Sequence, residues 1–321
     1  MTDDPQAAAP PRLKAQRARQ LGTFAGLLAL CIVLWAATPH FLTVSNLLNV
    51  LEQTSINAIV AVGMTFVIIS GGIDLSVGSV LALSGIALAA ALEGGVPAPA
   101  AIALALATGT ACGLVNGVLI TFGRLPPFIA TLGMMSVARG AALMLAEGRP
   151  ISGFTEGFRA LATGRVVIVP APVILTAAVY LVAHFVLART VFGRATYAIG
   201  GNEEAARLSG VHVRFHKTAV YGVAGLTSAV AAILLTARLN SAQPTAGTMY
   251  ELDAIAATVI GGTSLLGGEG TLVGALIGAL IMGVLRNGLN LLNVSSFFQQ
   301  VVIGAVIIGA VLIDMSLKRR R

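Results

Sequence analysis

Long apolar runs, interrupted once by a sizeable polar stretch, constrain this chain more than any other feature. The interruption, residues 189–217, reads RTVFGRATYAIGGNEEAARLSGVHVRFHK. Of the 321 residues, 56% are hydrophobic and 10% charged. A soluble domain carries roughly 25% charged residues, so this chain lacks the polar surface to face water all round and must take lipid as its main solvent. The expected fold is all-α, a polytopic transmembrane helix bundle that shows one hydrophilic surface to a soluble neighbour. Inside the interruption, Asn202 is placed to cap a short helix, and Glu203 and Glu204 fall in its first turn, at the positive end of the helix dipole. Gly210 is placed to end it. This predicts a two-turn helix outside the bilayer, shaped to dock.

A helix needs ~20 apolar residues to cross the hydrocarbon. About ten spans follow, near 21–38, 47–70, 77–93, 98–122, 127–147, 170–188, 218–238, 253–266, 271–286 and 297–315. Residues 1–20 read as a disordered cytoplasmic tail, 21–316 as the membrane domain and 317–321 as a basic cytoplasmic tail. The first apolar run ends without a small-x-small cleavage pattern and is expected to stay as a span. An even number of spans puts both termini on one side. That side collects Arg12, Lys14, Arg17, Arg19, Arg124, Arg189, Arg194, Arg207, Arg214, Lys217 and the KRRR end. The other side receives Arg149, Arg159, Arg165, Arg238 and Arg286. The positive-inside bias makes the rich side cytoplasmic. The net charge of +7 therefore fits membrane topology and not nucleic acid. Cys31 and Cys112 stand alone in apolar runs and read as packing residues.

Two segments resemble each other: VIISGGIDLSVGSVL at 67–81 and VIGGTSLLGGEGTLVG at 259–274. Each carries a Gly pair (Gly71 and Gly72; Gly261 and Gly262) followed by a polar cluster, Asp74 and Ser76 in the first. Paired interruptions suggest an internal repeat with discontinuous helices flanking a translocation path. Two short cytoplasmic turns explain the same pattern, and both readings stand together if the path opens there. Asp74 is expected to cap a helix start with Ser76 or to bond nearby amides, because a lone buried carboxylate is costly.

Asn57, Asn116, Arg139, Asn287 and Asn290 interrupt apolar helices. Such groups usually face a bundle interior, either to hydrogen-bond between helices or to line a path for a hydroxylated solute. Arg139 needs helix carbonyls or water as partners. None of the three lysines stands in a phosphate-binding G-x-x-x-x-G-K-[ST] loop, so any ATP belongs to a partner. No paired intramembrane acids, catalytic constellation or metal spacing is apparent. The expectation is a non-enzyme without metal or cofactor.

Four ordered blocks carry a family resemblance: GGIDLSVGS (71–79), TLGMMSVARG (131–140), GRATYAIGGNEEAARLSGV (193–211) and ELDAIAATVIGGTSLLGGEGT (251–271). Together they resemble the permease subunits of ribose/xylose/galactose-type ABC sugar importers, over about residues 40 to 315. Importer permeases carry an E-A-A-x-x-x-G loop, and Glu204-Ala205-Ala206 with Gly210 fits it; the I-x-L-P half of the wider motif is not seen. The resemblance implies an inner-membrane subunit whose block Gly193, Arg194, Asn202, Glu203, Glu204, Ala205, Ala206, Arg207 and Gly210 couples to an ATPase. It also implies a second permease copy, a cytoplasmic ABC ATPase that binds the ATP, and a periplasmic sugar-binding protein. A self-sufficient carrier for a small polar solute is the alternative.

Overall fold

The computed structural model describes residues 11–319. Among them are thirteen helices: α1 (Pro11–Ala37), α2 (Val44–Ile69), α3 (Val77–Glu93), α4 (Ala98–Thr121), α5 (Pro127–Leu145), α6 (Glu156–Thr163), α7 (Ala171–Arg189), α8 (Val191–Gly201), α9 (Glu203–Leu208), α10 (Val213–Leu239), α11 (Tyr250–Ile260), α12 (Leu272–Leu291) and α13 (Ser296–Arg319). Four two-residue strands form two antiparallel pairs. In one, β1 (Ile151–Ser152) pairs with β4 (Ser241–Ala242); in the other, β2 (Arg165–Val166) pairs with β3 (Val169–Pro170).

Seven helices are long and apolar enough to cross a membrane, and α3 and the stretch Ser296–Gly309 are shorter apolar helices. The eighth expected span, 253–266, is α11, which has 11 residues and is too short to cross hydrocarbon alone. Its apolar sequence runs on into Gly261 and Gly262, where the helix stops. Helix α1 already starts at Pro11, inside the stretch expected as a tail; residues 1–10 of that tail lie outside the described residues. At the other end α13 runs to Arg319, into the expected basic tail.

Close contacts fix the relative directions of the helices. Along the α4–α10 seam, Gly109 meets Gly225, Gly113 meets Tyr221 and Gly117 meets Thr218, so one number rises as the other falls and the pair is antiparallel. A Cβ at any of these three glycines would strike backbone of α10, which is how small residues let membrane helices approach. By the same count α12 is antiparallel to α11 (Gly261 with Gly274, Gly278 with Ala257). It is also antiparallel to α2, through Gly283 with Thr54 and Asn287 with Asn46. Helix α7 runs parallel to α2, through Thr176 to the Ser55 carbonyl and Tyr180 to that of Ala58. These directions agree with the alternation expected from the sequence, and they gather residues 70–76, 190–212 and 261–271 at one end of the bundle. Helices α2 and α10 form its centre: 83% and 72% of their apolar windows are buried, against 6% for α1.

Candidate coupling and pathway site

The two Gly-rich breaks close their helices alike. At the end of α2, Ser70, Gly71 and Gly72 N–H groups donate to the carbonyls of Phe66, Ile68 and Val67 at 2.9–3.0 Å. At the end of α11, Gly261, Gly262 and Thr263 donate to Ala257, Val259 and Thr258 at 2.8–3.1 Å. Gly71 at φ +79° and Gly262 at φ +89° hold the left-handed position, where a Cβ is strained. Gly71 therefore corresponds to Gly262, one position off the pairing the two Gly-Gly dipeptides suggest. Gly72 and Gly261 serve packing instead. A Cβ on Gly72 would strike the Tyr221 hydroxyl, and one on Gly261 the Gly274 backbone.

Asp74 is buried, and its Oδ1 accepts from the Ser76 N–H at 2.8 Å and hydroxyl at 2.6 Å. Ser76 Oγ in turn accepts from Asn116 Nδ2 at 2.9 Å. Asp74 thus bonds a nearby amide, one of its two expected roles, and Asn116 ties α4 to the first break. The other intramembrane asparagines also join helices. Asn57 donates to Asp253 at 3.3 Å, Asn287 and Asn46 exchange two bonds at 2.9 and 3.0 Å, and Asn290 accepts from Gln299 at 2.7 Å. Arg139 finds carbonyls as partners, those of Pro244 and Ala246 at 2.7 and 2.8 Å. They belong to a non-helical stretch and not to a helix.

The polar interruption is more helical than its sequence suggested, because α8 fills its first half. Asn202 caps α9 by accepting from the Ala205 N–H at 2.9 Å. Gly210, at φ +86°, closes it with the Val211 N–H on the Ala206 carbonyl at 3.1 Å. Ala206 is buried with Ile199 and Val213, which seats α9 on its neighbours. Glu203, Glu204, Ala205 and Arg207 face outward, and beside them Leu208 is 78% exposed. Glu203 pairs with Lys217 at 2.9 Å, and Glu204 pairs with Arg207 one turn on. The Glu204 carboxylate raises the guanidinium pKa of Arg207 through that hydrogen bond. Arg194 is exposed, while Gly193 is buried where a Cβ would overlap the Leu187 carbonyl.

Both breaks meet the far end of α8. The Gly268 N–H donates to the Ile69 carbonyl at 2.9 Å, joining one break to the other. Gly200 lies over this bond, where a Cβ would overlap the Ile69 carbonyl oxygen and crowd Gly268 N at 2.6 Å. Tyr197 adds a hydrogen bond to the Gly270 carbonyl at 2.8 Å. Burial pushes the pKa of its hydroxyl up to about 12, so it stays a donor at physiological pH. A continuous series of contacts therefore runs from the exposed α9, through α8, to both breaks.

Comparison with known proteins now decides the class. The family model described as "Branched-chain amino acid transport system / permease component" matches residues 46–311. The chain belongs to this permease family. Ribose import permease protein RbsC of Escherichia coli K12 is 54% identical over 293 residues, 90% of this chain and 91% of its own length. RbsC of Bacillus subtilis 168 is 52% identical, over 92% of each chain. D-allose transport system permease protein AlsC of Escherichia coli K12 is 39% identical, over 91% of this chain and 90% of its own. No solved structure gave a significant match.

Three parts of the site of this permease are not legible in its sequence: Tyr197 and Gly200 with Gly268, the exposed Leu208, and an ion pair between the buried Asp253 and the partly exposed Arg286. Arg286 Nη2 donates to both carboxylate oxygens of Asp253 at 2.8 and 2.7 Å. The sequence places Arg286 on the external side, at the end of the expected span 271–286, and shows no paired intramembrane acids, so its pairing with Asp253 is not visible there. The Gly200 junction had one local signal, the Gly200-Gly201 pair ending α8, but what each glycine meets lies far away in sequence.

Proposed function

We propose that this permease is the membrane subunit of an ATP-driven importer of monosaccharides. Two copies form the path, a cytoplasmic ABC ATPase docks on α9, and an extracytoplasmic binding protein delivers the sugar to the opposite face. Sugar as the cargo class follows from the ribose and D-allose relatives. The inner membrane, with both termini and α9 in the cytoplasm, follows from the Lys and Arg distribution. The observation that carries the reading is the Gly200 junction. It joins the one exposed docking helix to both Gly-rich breaks, so displacement of α9 by an ATPase must shift the breaks.

Reconstitution tests this. Proteoliposomes holding the permease, its ATPase and its binding protein should accumulate ribose only with ATP on the α9 side. Uptake by the permease alone would instead establish a self-sufficient carrier.

A further inference from the structure

Between α10 and α11 the chain is not helical, and this stretch does not stay outside the bundle. It starts beside the loop that follows α5, where Ser241 and Ala242 pair with Ser152 and Ile151. Ala242 shares an apolar cluster with Ala82, Ile86 and Ala89 on α3. Five residues on, Gly247 (φ +70°) lies against Gly78 in the first turn of α3, close enough that a Cβ on either would overlap or crowd the other's backbone. From Ile86 back to Gly78 is about 12 Å at 1.5 Å per helical residue. Residues 240–249 therefore descend along α3 into the membrane-embedded part of the protein.

After the β4 strand at Ser241–Ala242, residues 244–249 form turns, and exposed residues are interspersed with buried ones along the stretch. Ala242, Pro244 and Gly247 are buried, whereas Gln243, Thr245 and Thr248 are exposed. Arg139 of α5 holds the backbone through the Pro244 and Ala246 carbonyls. Ser136, one turn before Arg139, is exposed as well. Irregular backbone at membrane depth is tolerated only inside protein or along a water-filled cavity. Polar side chains that leave the protomer there avoid lipid for the same reason. They turn either to a dry contact with a second copy or to an aqueous path.

We propose that Gln243, Thr245 and Thr248, with Ser136 on α5, line the solute path and contact its cargo. Thr248 and Ser136 donate their hydroxyl protons to the Thr245 and Leu132 carbonyls at 2.7 and 3.4 Å and keep acceptor lone pairs. The Gln243 amide and Thr245 hydroxyl offer donors and acceptors without fixed charge, and together these groups suit an uncharged polyhydroxylated solute. The proposal rests on the permease reading above and names the contact residues that reading leaves open. These are not the asparagines expected from sequence, which are engaged in bonds between helices.

The test uses the complete importer with Cys31→Ala and Cys112→Ala in the permease. Thr245→Cys and Gln243→Cys should react with a membrane-impermeant maleimide at least tenfold faster than Leu181→Cys or Phe185→Cys on the exposed apolar face of α7, and modification should stop uptake. Separately, Thr245→Val and Gln243→Leu should raise the KM for ribose severalfold while the ATPase stays stimulated by the binding protein. Reaction as slow as at Leu181→Cys, or full transport after modification, would overturn the path and leave a dry interface. Absence of ATP-driven uptake by the unmodified importer would instead remove the permease reading, whatever the labelling pattern.

Discussion

Gly72 and Tyr197 are where single atoms decide whether the two breaks keep their geometry. A side chain at Gly72 has to displace the Tyr221 hydroxyl, which lies 3.4 Å from the Ile73 carbonyl inside the first break. Gly72→Val is therefore expected to lower uptake at least tenfold with normal membrane insertion, read by ribose accumulation against the amount of folded permease. Tyr197→Phe removes one hydrogen bond to the Gly270 carbonyl, worth about 1 kcal/mol. The expected result is a few-fold loss of sugar moved per ATP, with little change in melting temperature. Residue chemistry of this local kind was legible: Asn202 and Gly210 bracket α9 as their types require. The surroundings of Gly72 were not, because Tyr221 is supplied from 149 positions away.

Helix α11 shows most clearly what sequence can and cannot reveal about an element. Its apolar residues marked a span, but its depth and ends are set by contacts with other helices. Gly274 packs on its last turn, Arg286 on Asp253, and Arg139 on the unwound stretch before it. Asp253 is 3% exposed and Arg286 about a third exposed. Removing one partner of such a pair strands the other, at ~3–5 kcal/mol for full burial. Asp253→Asn strands Arg286, which solvent partly reaches, and should thus lower the thermal stability of the detergent-solubilised permease by about 1–2 kcal/mol, below the full-burial range. Joint replacement by Asp253→Leu and Arg286→Met should recover most of that loss. A loss in the double variant equal to the sum of the Asp253→Leu and Arg286→Met losses would show that the two residues do not act as a pair. The long spans were legible because lipid demands continuous apolar helices. The dive of residues 240–249 was not, since a polar stretch with Pro244 and Gly247 reads like any external loop until Gly78 and Arg139 are seen beneath it.

For the whole molecule, the alternating helix directions place α8, α9 and both breaks at one end, and the β1–β4 pair with the loop after α5 at the other. A push applied at α9 would have a short route to the breaks and a longer one, along α11, to residues 240–249. Glu204→Arg reverses the charge beside Arg207 on the exposed face of α9. It is expected to weaken ATPase binding at least tenfold while leaving the permease folded, as measured by co-purification at graded salt. The central claim is that hydrolysis reaches the path through Gly200. Its most direct measurement is the number of ribose molecules accumulated per ATP hydrolysed in proteoliposomes containing the permease, its ATPase and its binding protein. Gly200→Val should keep most of the hydrolysis and lose at least nine-tenths of the uptake. Gly201→Ala, whose added Cβ meets nothing within 4 Å, should retain both. Unchanged sugar per ATP in Gly200→Val would contradict the account.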